Sequence, residues 1–414
     1  SCVSYLNRIT LNKGVIFNKN YIDIDISLVT NPNSIFNLSY ISPIYFLSES
    51  STNSPGGNLK CSSYYSPIVK SRSAIGLQAK DAGVITFTVP NGGGGANTEI
   101  QNKDYGMFFN NTDANVNNVN FNNAVGVAYS YTLNFASAPA GVGIYSKNSK
   151  YLNVKPATTP TVGATTTFSN MGYSIITNNT YTVDVQNTNQ TSSMQSYTVD
   201  PAWGSGNNAY IWGGSVGYAG YGLNGIFATN AKDVLRVNNN TITNNYYPVT
   251  ANYTVAPSVT NTMSIAQNTI STTNVNGILE GVTFNSALSF TPTASNMRIA
   301  ANSFSNVTVG VKVTATSIGL RISNNTFTLH PSGTKPKGIY MSGSNTVTVD
   351  NNTIYGSLTS TNVANWSVDN HGILSENSPG CKVQCNTISN VGVGVEYKGG
   401  NSSPGAGLLK NNLV

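Results

Sequence analysis

The chain has 414 residues with a formal net charge of +6, and only 9% of its residues are charged. No run of four basic residues occurs, which argues against nucleic-acid binding, and no apolar stretch approaches the roughly 18 residues of a membrane-spanning helix. Polarity comes instead from 60 asparagines with abundant Thr, Ser, Gly and Tyr, while 39% hydrophobic content is enough for a core and the plentiful Val, Ile, Thr and Tyr point to an all-β protein.

The chain begins SCVSYLNRIT, with no signal peptide, as a mature secreted protein would. In the first 80 residues RITLNKGVIF, YIDIDISLV and ISPIYFLS read as strands, and STNSPGGNLK (51–60) as a loop. These are expected to form irregular N-terminal coils or a cap over exposed strand edges. A Cys2–Cys61 disulfide would close a loop worth roughly 4 kcal/mol in an oxidising compartment. From residue 81 onward a repetitive β-structure is expected, with PNGGGGAN (90–97) as a loop and FNNAVGVAYS (121–130) and ITNNTYTV (176–183) as early signs of it.

Residues 201–225, PAWGSGNNAYIWGGSVGYAGYGLNG, gather Trp203, Tyr210, Trp212, Tyr218 and Tyr221 among glycines. Glycine-hinged loops that expose rings suit stacking on sugar faces, so these five are candidate glycan-binding residues. The same rings would also fill an enlarged coil or cover its side.

From residue 235 one phrase dominates: apolar-x-x-Asn-Thr/Ser-apolar. It recurs at Asn240, Asn268, Asn302, Asn325, Asn352, Asn386 and, truncated, at Asn412, in steps of 28, 34, 23, 27, 34 and 26 residues. A constant phrase with a variable step implies a constant turn with loops of unequal length. Several phrases run into a Gly-apolar strand, as in FSNVTVGVKV and ISNVGVGVEY. A step of about 23 residues accommodates three short strands, one coil of a parallel β-helix. Asparagine tolerates the left-handed backbone that a sharp corner needs, and coils about 4.8 Å apart let its amide bond to the Asn above and below. The seven asparagines are therefore expected to form a structural ladder, with the apolar residues stacked inside. The abrupt end, LLKNNLV, suggests that the coils continue in a longer parent chain.

The phrase and its Gly-Val strand resemble right-handed parallel β-helix repeat proteins of the pectate-lyase-like superfamily. GCKVQCNTISNVGVGVEYKGG further resembles repeats in large secreted surface proteins of the Bacteroidota, often exported by the type IX route. The resemblance implies polysaccharide lyase or hydrolase chemistry as one candidate, which needs converging acids and bases. The best local set is SVDNHGILSE, with Asp369, His371 and Glu376; RIS (321–323) stands where related hydrolases carry Arg-Ile-Lys. Asp233 and Asp350 are dispersed along the chain. His371 and His330 read as solvated loop residues, and Glu280 and Glu396 as outward charges on strands. Cys381 and Cys385 fall on one expected strand, about 13 Å apart and unable to bridge, with both thiols stacking as small apolar groups.

The expectation is an extracellular, cell-surface β-helix scaffold of the adhesin type. It would be non-catalytic and free of cofactor and metal, contacting glycans or a surface protein. If it is an enzyme instead, Asp369 and His371 are the candidate catalytic pair. A phage tail-spike-like protein is a further alternative.

Overall fold

The structure, a computed structural model, describes residues 24–25, 35–39, 45–46, 73–88, 98–101, 103–117, 119–122, 142–156, 165–169, 171–191, 222–254, 262–273, 278–289, 297–317, 319–331, 335–358, 369–400, 408–410 and 412–413. Among these there is no helix, and the strands pair in parallel as the coils of a right-handed β-helix. The chain forms two compact units: Ser1–Thr180 with Asp184–Gly225, and Tyr181–Val183 with Ile226–Val414.

In the second unit each coil contributes three strands, and like strands stack in register. The first set runs through Val234–Asn238, Thr262–Ala266, Met297–Ala300, Leu320–Ser323, Thr348–Asp350, Lys382–Gln384 and Leu408–Lys410. The second includes Thr241–Thr243, Thr269–Ser271, Thr326–Leu329, Thr353–Tyr355 and Thr387–Ser389. The third includes Asn245–Tyr253, Ile278–Ser289, Lys337–Ser342, His371–Glu376 and Val393–Lys398. Ser303–Ser317 serves both the second and third sets, turning a corner at Asn306, whose φ is 63°.

The core is a stack of apolar columns. Val237, Ile265, Ile299, Ile322, Val349 and Val383 form one, each fully buried. Ile242, Ile270, Phe304, Phe327, Ile354 and Ile388 form another, with the two phenyl rings stacked at 4.7 Å. The glycine ahead of each Gly-apolar strand makes room for this second column. A Cβ on Gly310 would lie 2.3 Å from Phe327 Cδ1 and 2.5 Å from the carbonyl of Gly338. Gly281, Gly338 and Gly372 meet the same kind of neighbours.

The phrase divides its corner between two adjacent residues. The sequence alone assigns both the left-handed backbone and the amide ladder to the repeated asparagine. The left-handed position is in fact the residue before it: Asn239, Gln267, Ala301, Asn324, Asn351 and Cys385, with φ of 54–58°. The repeated asparagine follows with its side chain turned inward. Asn240, Asn268, Asn302, Asn325 and Asn352 donate from Nδ2 to Oδ1 of the next, at 2.9–3.0 Å, and Asn386 donates likewise to Asn412. Each of the six also donates its backbone N–H to that same oxygen. The second Nδ2 proton of Asn268 goes back to the Val237 carbonyl, and that of Asn302 to Ile265. A buried amide with two acceptances and two donations is fully satisfied, so a polar group sits inside the coil at little desolvation cost.

The first unit has the same strand stacking with different corners. Lys103–Asn117 pairs with Val142–Lys147, which pairs with Tyr173–Asn178. The strands Ile24–Asp25 and Ile35–Ser39 pair in parallel with Ser73–Thr88. Two of the three strand expectations in the first 80 residues coincide with described strands, in YIDIDISLV and ISPIYFLS. RITLNKGVIF, the loops 51–60 and 90–97, and Cys2 and Cys61 lie outside the described residues. ITNNTYTV is a corner, with Asn179 left-handed at φ 52° and Thr180 buried.

Candidate functional site

The third strand set of the second unit holds the densest polar grouping among the described residues. His371 opens the strand His371–Glu376 and is 5% exposed, not a solvated turn residue. Parallel register sets it beside Lys337 on one neighbouring strand and Val393 on the other. Its ring is held at both nitrogens: Nδ1 lies 3.0 Å from the Asp369 carbonyl and Nε2 2.5 Å from Glu396 Oε2. The ring is buried at the start of the strand, directly after the buried Asn370.

Along this strand set each acid has its own partner. Tyr340 Oη donates to Glu376 Oε2 at 2.7 Å, Lys312 Nζ to Glu280 Oε1 at 2.6 Å, and Thr283 Oγ1 to the other oxygen of Glu280 at 2.6 Å. Lys335 pairs with Asp369 at 3.3 Å, where both side chains are substantially exposed. Lys337 lies over the Tyr340 ring and donates to the Lys335 carbonyl. Burial, together with the nearby charges of Lys335 and Lys312, lowers its pKa against the opposing pull of Asp369 and Glu376. Burial likewise raises that of the Tyr340 hydroxyl.

The acids singled out in the sequence do not converge. Asp350 ends a strand of the first set, is 3% exposed, and is held by Nε and Nη2 of Arg321. That hydrogen-bonded pair raises the Arg321 pKa and is the role played by the Arg of RIS. Asp233 leads into the first-set strand at the other end of the unit, where its N–H meets the Tyr181 carbonyl. By register it is about four coils, or roughly 19 Å, from Asp350. Asp369 and His371 are adjacent, yet their contact is through the Asp369 backbone carbonyl, leaving its carboxylate to Lys335.

His330 is a loop residue just past Thr326–Leu329, as expected, but buried rather than solvated: it is 2% exposed and its N–H donates to the Val307 carbonyl at 2.8 Å. Cys381 and Cys385 do not share a strand. Cys381 precedes Lys382–Gln384 and is fully buried, its thiol pushed up to about 11 by burial. Cys385 is exposed at the left-handed corner. Trp203, Tyr210, Trp212, Tyr218 and Tyr221 lie outside the described residues. The sequence reading passed over Lys337 and Tyr340, whose only signal is register with the strand that carries His371. Searches found no protein-family model and no curated protein that matches this chain.

Proposed function

We propose that this chain is a non-catalytic scaffold of the adhesin type, an extracellular β-helix that holds a surface in register for contact with glycans. The observation that carries the reading is the disposition of the carboxylates. Asp350, Glu280, Glu376 and Glu396 are each engaged by a separate cation, hydroxyl or imidazole on the coil wall. A glycosidase instead needs two carboxyl groups facing each other across one bond. The amide ladder adds the rigidity that a display surface requires, and the uncharged polar exterior suits hydroxyl-rich partners. The resemblance to pectate-lyase-like repeats and to Bacteroidota surface proteins points to the same setting outside the cell.

The second reading, a polysaccharide lyase or hydrolase, draws on the His371–Glu396 contact and the depressed Lys337, which are acid–base groups on one wall. A panel of purified polysaccharides separates the two, each scored for retention of the protein and for release of new chain ends. Retention without release is expected. Release abolished by His371→Gln would establish the enzyme.

A further inference from the structure

Four cations occupy one line along the first strand set. Register places Arg236 beside Ser264, Ser264 beside Arg298, Arg298 beside Arg321, Arg321 beside Thr348 and Thr348 beside Lys382. In sequence these are the residues four places before each ladder asparagine. Three of the five arginines in the chain stand on this line. Arg298, Arg321 and Lys382 are exposed. At about 4.8 Å per coil the line runs roughly 24 Å, with gaps of two, one and two coils between charges.

From Arg298 to Lys382 the line carries little counter-charge. Of the acids described in this unit, Glu280, Glu376 and Glu396 lie on the third set, Asp369 leads into it, and Asp233 leads into the first-set strand that carries Arg236. Asp350 alone lies on a first-set strand, and it holds Arg321. Arg298 bonds Ser264 Oγ at 3.2 Å, which aligns the guanidinium along the line. Like charges directly opposite on neighbouring strands disfavour a sheet, and Arg298 and Arg321 are so placed, with Asp350 offsetting Arg321 alone. A chain with 9% charged residues need not place them so. Departures from a local rule of this kind are expected at functional sites.

We propose that this line binds a linear sulfated polysaccharide. The inference rests on the glycan-contacting reading above and names its partner class. A straight row of separated cations matches an extended chain that carries discrete anions at intervals. The weakly hydrated arginine fork suits a sulfate ester, with paired N–H donors meeting its oxygens. No aromatic residue stands on the line, so it lacks the stacking platform on which single-stranded nucleic acid depends.

The test is titration of the whole chain with fluorescein-labelled dextran sulfate at low salt, against neutral dextran, hyaluronan and a DNA duplex. The rail variant Arg298→Gln/Lys382→Gln removes two charges that have no carboxylate partner among the described residues and leaves the Arg321–Asp350 pair in place. The control Lys335→Gln/Lys398→Gln removes the same charge from the third set. Tighter binding to dextran sulfate than to the other three is expected. It should weaken about ten-fold in the rail variant, and by less than about two-fold in the control, with affinity falling as salt rises. Equal weakening in both variants would reduce the effect to net charge and overturn the proposal. Preference for hyaluronan or DNA would overturn it as well. Retention of neutral dextran, indifferent to the rail variant, would overturn it while leaving the adhesin reading intact. Release of chain ends would sink the non-catalytic reading, with the rail still judged by its own variant.

Discussion

Two corners of the coil, one taken from each unit, are built from different materials. In the second unit a buried amide follows the left-handed residue, and the amide-to-amide bonds are 2.9–3.0 Å. In the first unit, at the corner that leads from Val142–Lys147 to Tyr151–Val154 and at its stacked counterparts, a hydroxyl follows the left-handed residue at Thr112, Ser149 and Thr180, as Ser344 and Ser378 do at the matching corner of the second unit. The Thr112 N–H reaches Ser149 Oγ at 3.4 Å, and Ser146 Oγ bridges to Ser149 at 3.2 Å and Thr180 at 3.1 Å. The asparagines of this corner sit at the left-handed positions Asn111, Asn148 and Asn179, where one amide contact of 3.5 Å is exposed to water. Where the inward amide carries the register, the left-handed position is filled by Asn, Gln, Ala or Cys. Where a hydroxyl stands inside, it is asparagine at Asn111, Asn148, Asn179 and Asn377 and glycine at Gly343. An amide has one strong acceptor and two donors on one rigid plane, so it joins three coils at once; a hydroxyl has a single proton to give.

The largest effect should come from breaking the amide ladder. Asn325→Ala removes the acceptor for two donors of Asn302 and leaves them buried, a loss of roughly 3–5 kcal/mol. Ser149→Ala in the first unit should cost only about 1–2 kcal/mol. Hydrogen exchange at the Asn302 and Thr112 amides reads each corner without assuming that the chain unfolds in one step. Equal losses would mean that amide and hydroxyl corners are energetically alike.

A smaller and shared effect is expected at the glycines behind the aromatic column. Gly310→Ala in the second unit and Gly143→Ala in the first both drive a Cβ into a phenyl ring, Phe327 and Phe168 respectively. Each should destabilise by about 1–3 kcal/mol, because this device does not depend on the corner. Gly343→Ala, with nothing within 4 Å of the new Cβ, tests backbone strain alone at φ 61° and should cost about 1 kcal/mol. Thermal or denaturant midpoints rank the three, and a Gly310 variant no worse than Gly343→Ala would discount the steric account.

Smaller still is Asn324→Ala, at about 1 kcal/mol or less, since Ala301 already occupies the equivalent corner. A larger loss would show that Asn324 contributes through its amide as well as its backbone.

The corner also supplies a chemical readout. In a Cys2→Ser/Cys61→Ser background, Cys385 should react with a thiol reagent in the folded protein while Cys381 reacts only on unfolding. Burial raises the Cys381 thiol from 9.0 to about 11, so the folded state keeps a proton that the unfolded chain releases. Stability should therefore fall as pH rises from about 9 to 11, and this slope should be shallower in Cys381→Ala.

Much of the fold was legible because stacking imposes a period. The ladder asparagines, the apolar residue three places before each and the Gly-apolar strand after it all recur in phase, and all became columns. His371 and His330 were misjudged because polarity in sequence says nothing of which side of a coil wall a ring faces. The left-handed role was assigned one residue late because both corner positions favour asparagine, for different reasons. Gln267, Ala301 and Cys385 are the only hints in the sequence that the earlier position answers to backbone alone.

The sequence by itself determined the β-helix, its number of phrase-bearing coils and the residues that line its interior, because each depends on a repeat read along one dimension. Only the tertiary structure decided which side chains meet across coils. His371 finds Glu396 from 25 residues away, and Arg321 finds Asp350 from 29. The physical reason is the unequal loop. The ladder asparagines, one coil apart in space, are 23 to 34 apart in the chain, so lateral neighbours are set by strand register, which the hydrogen-bonded ladders decide.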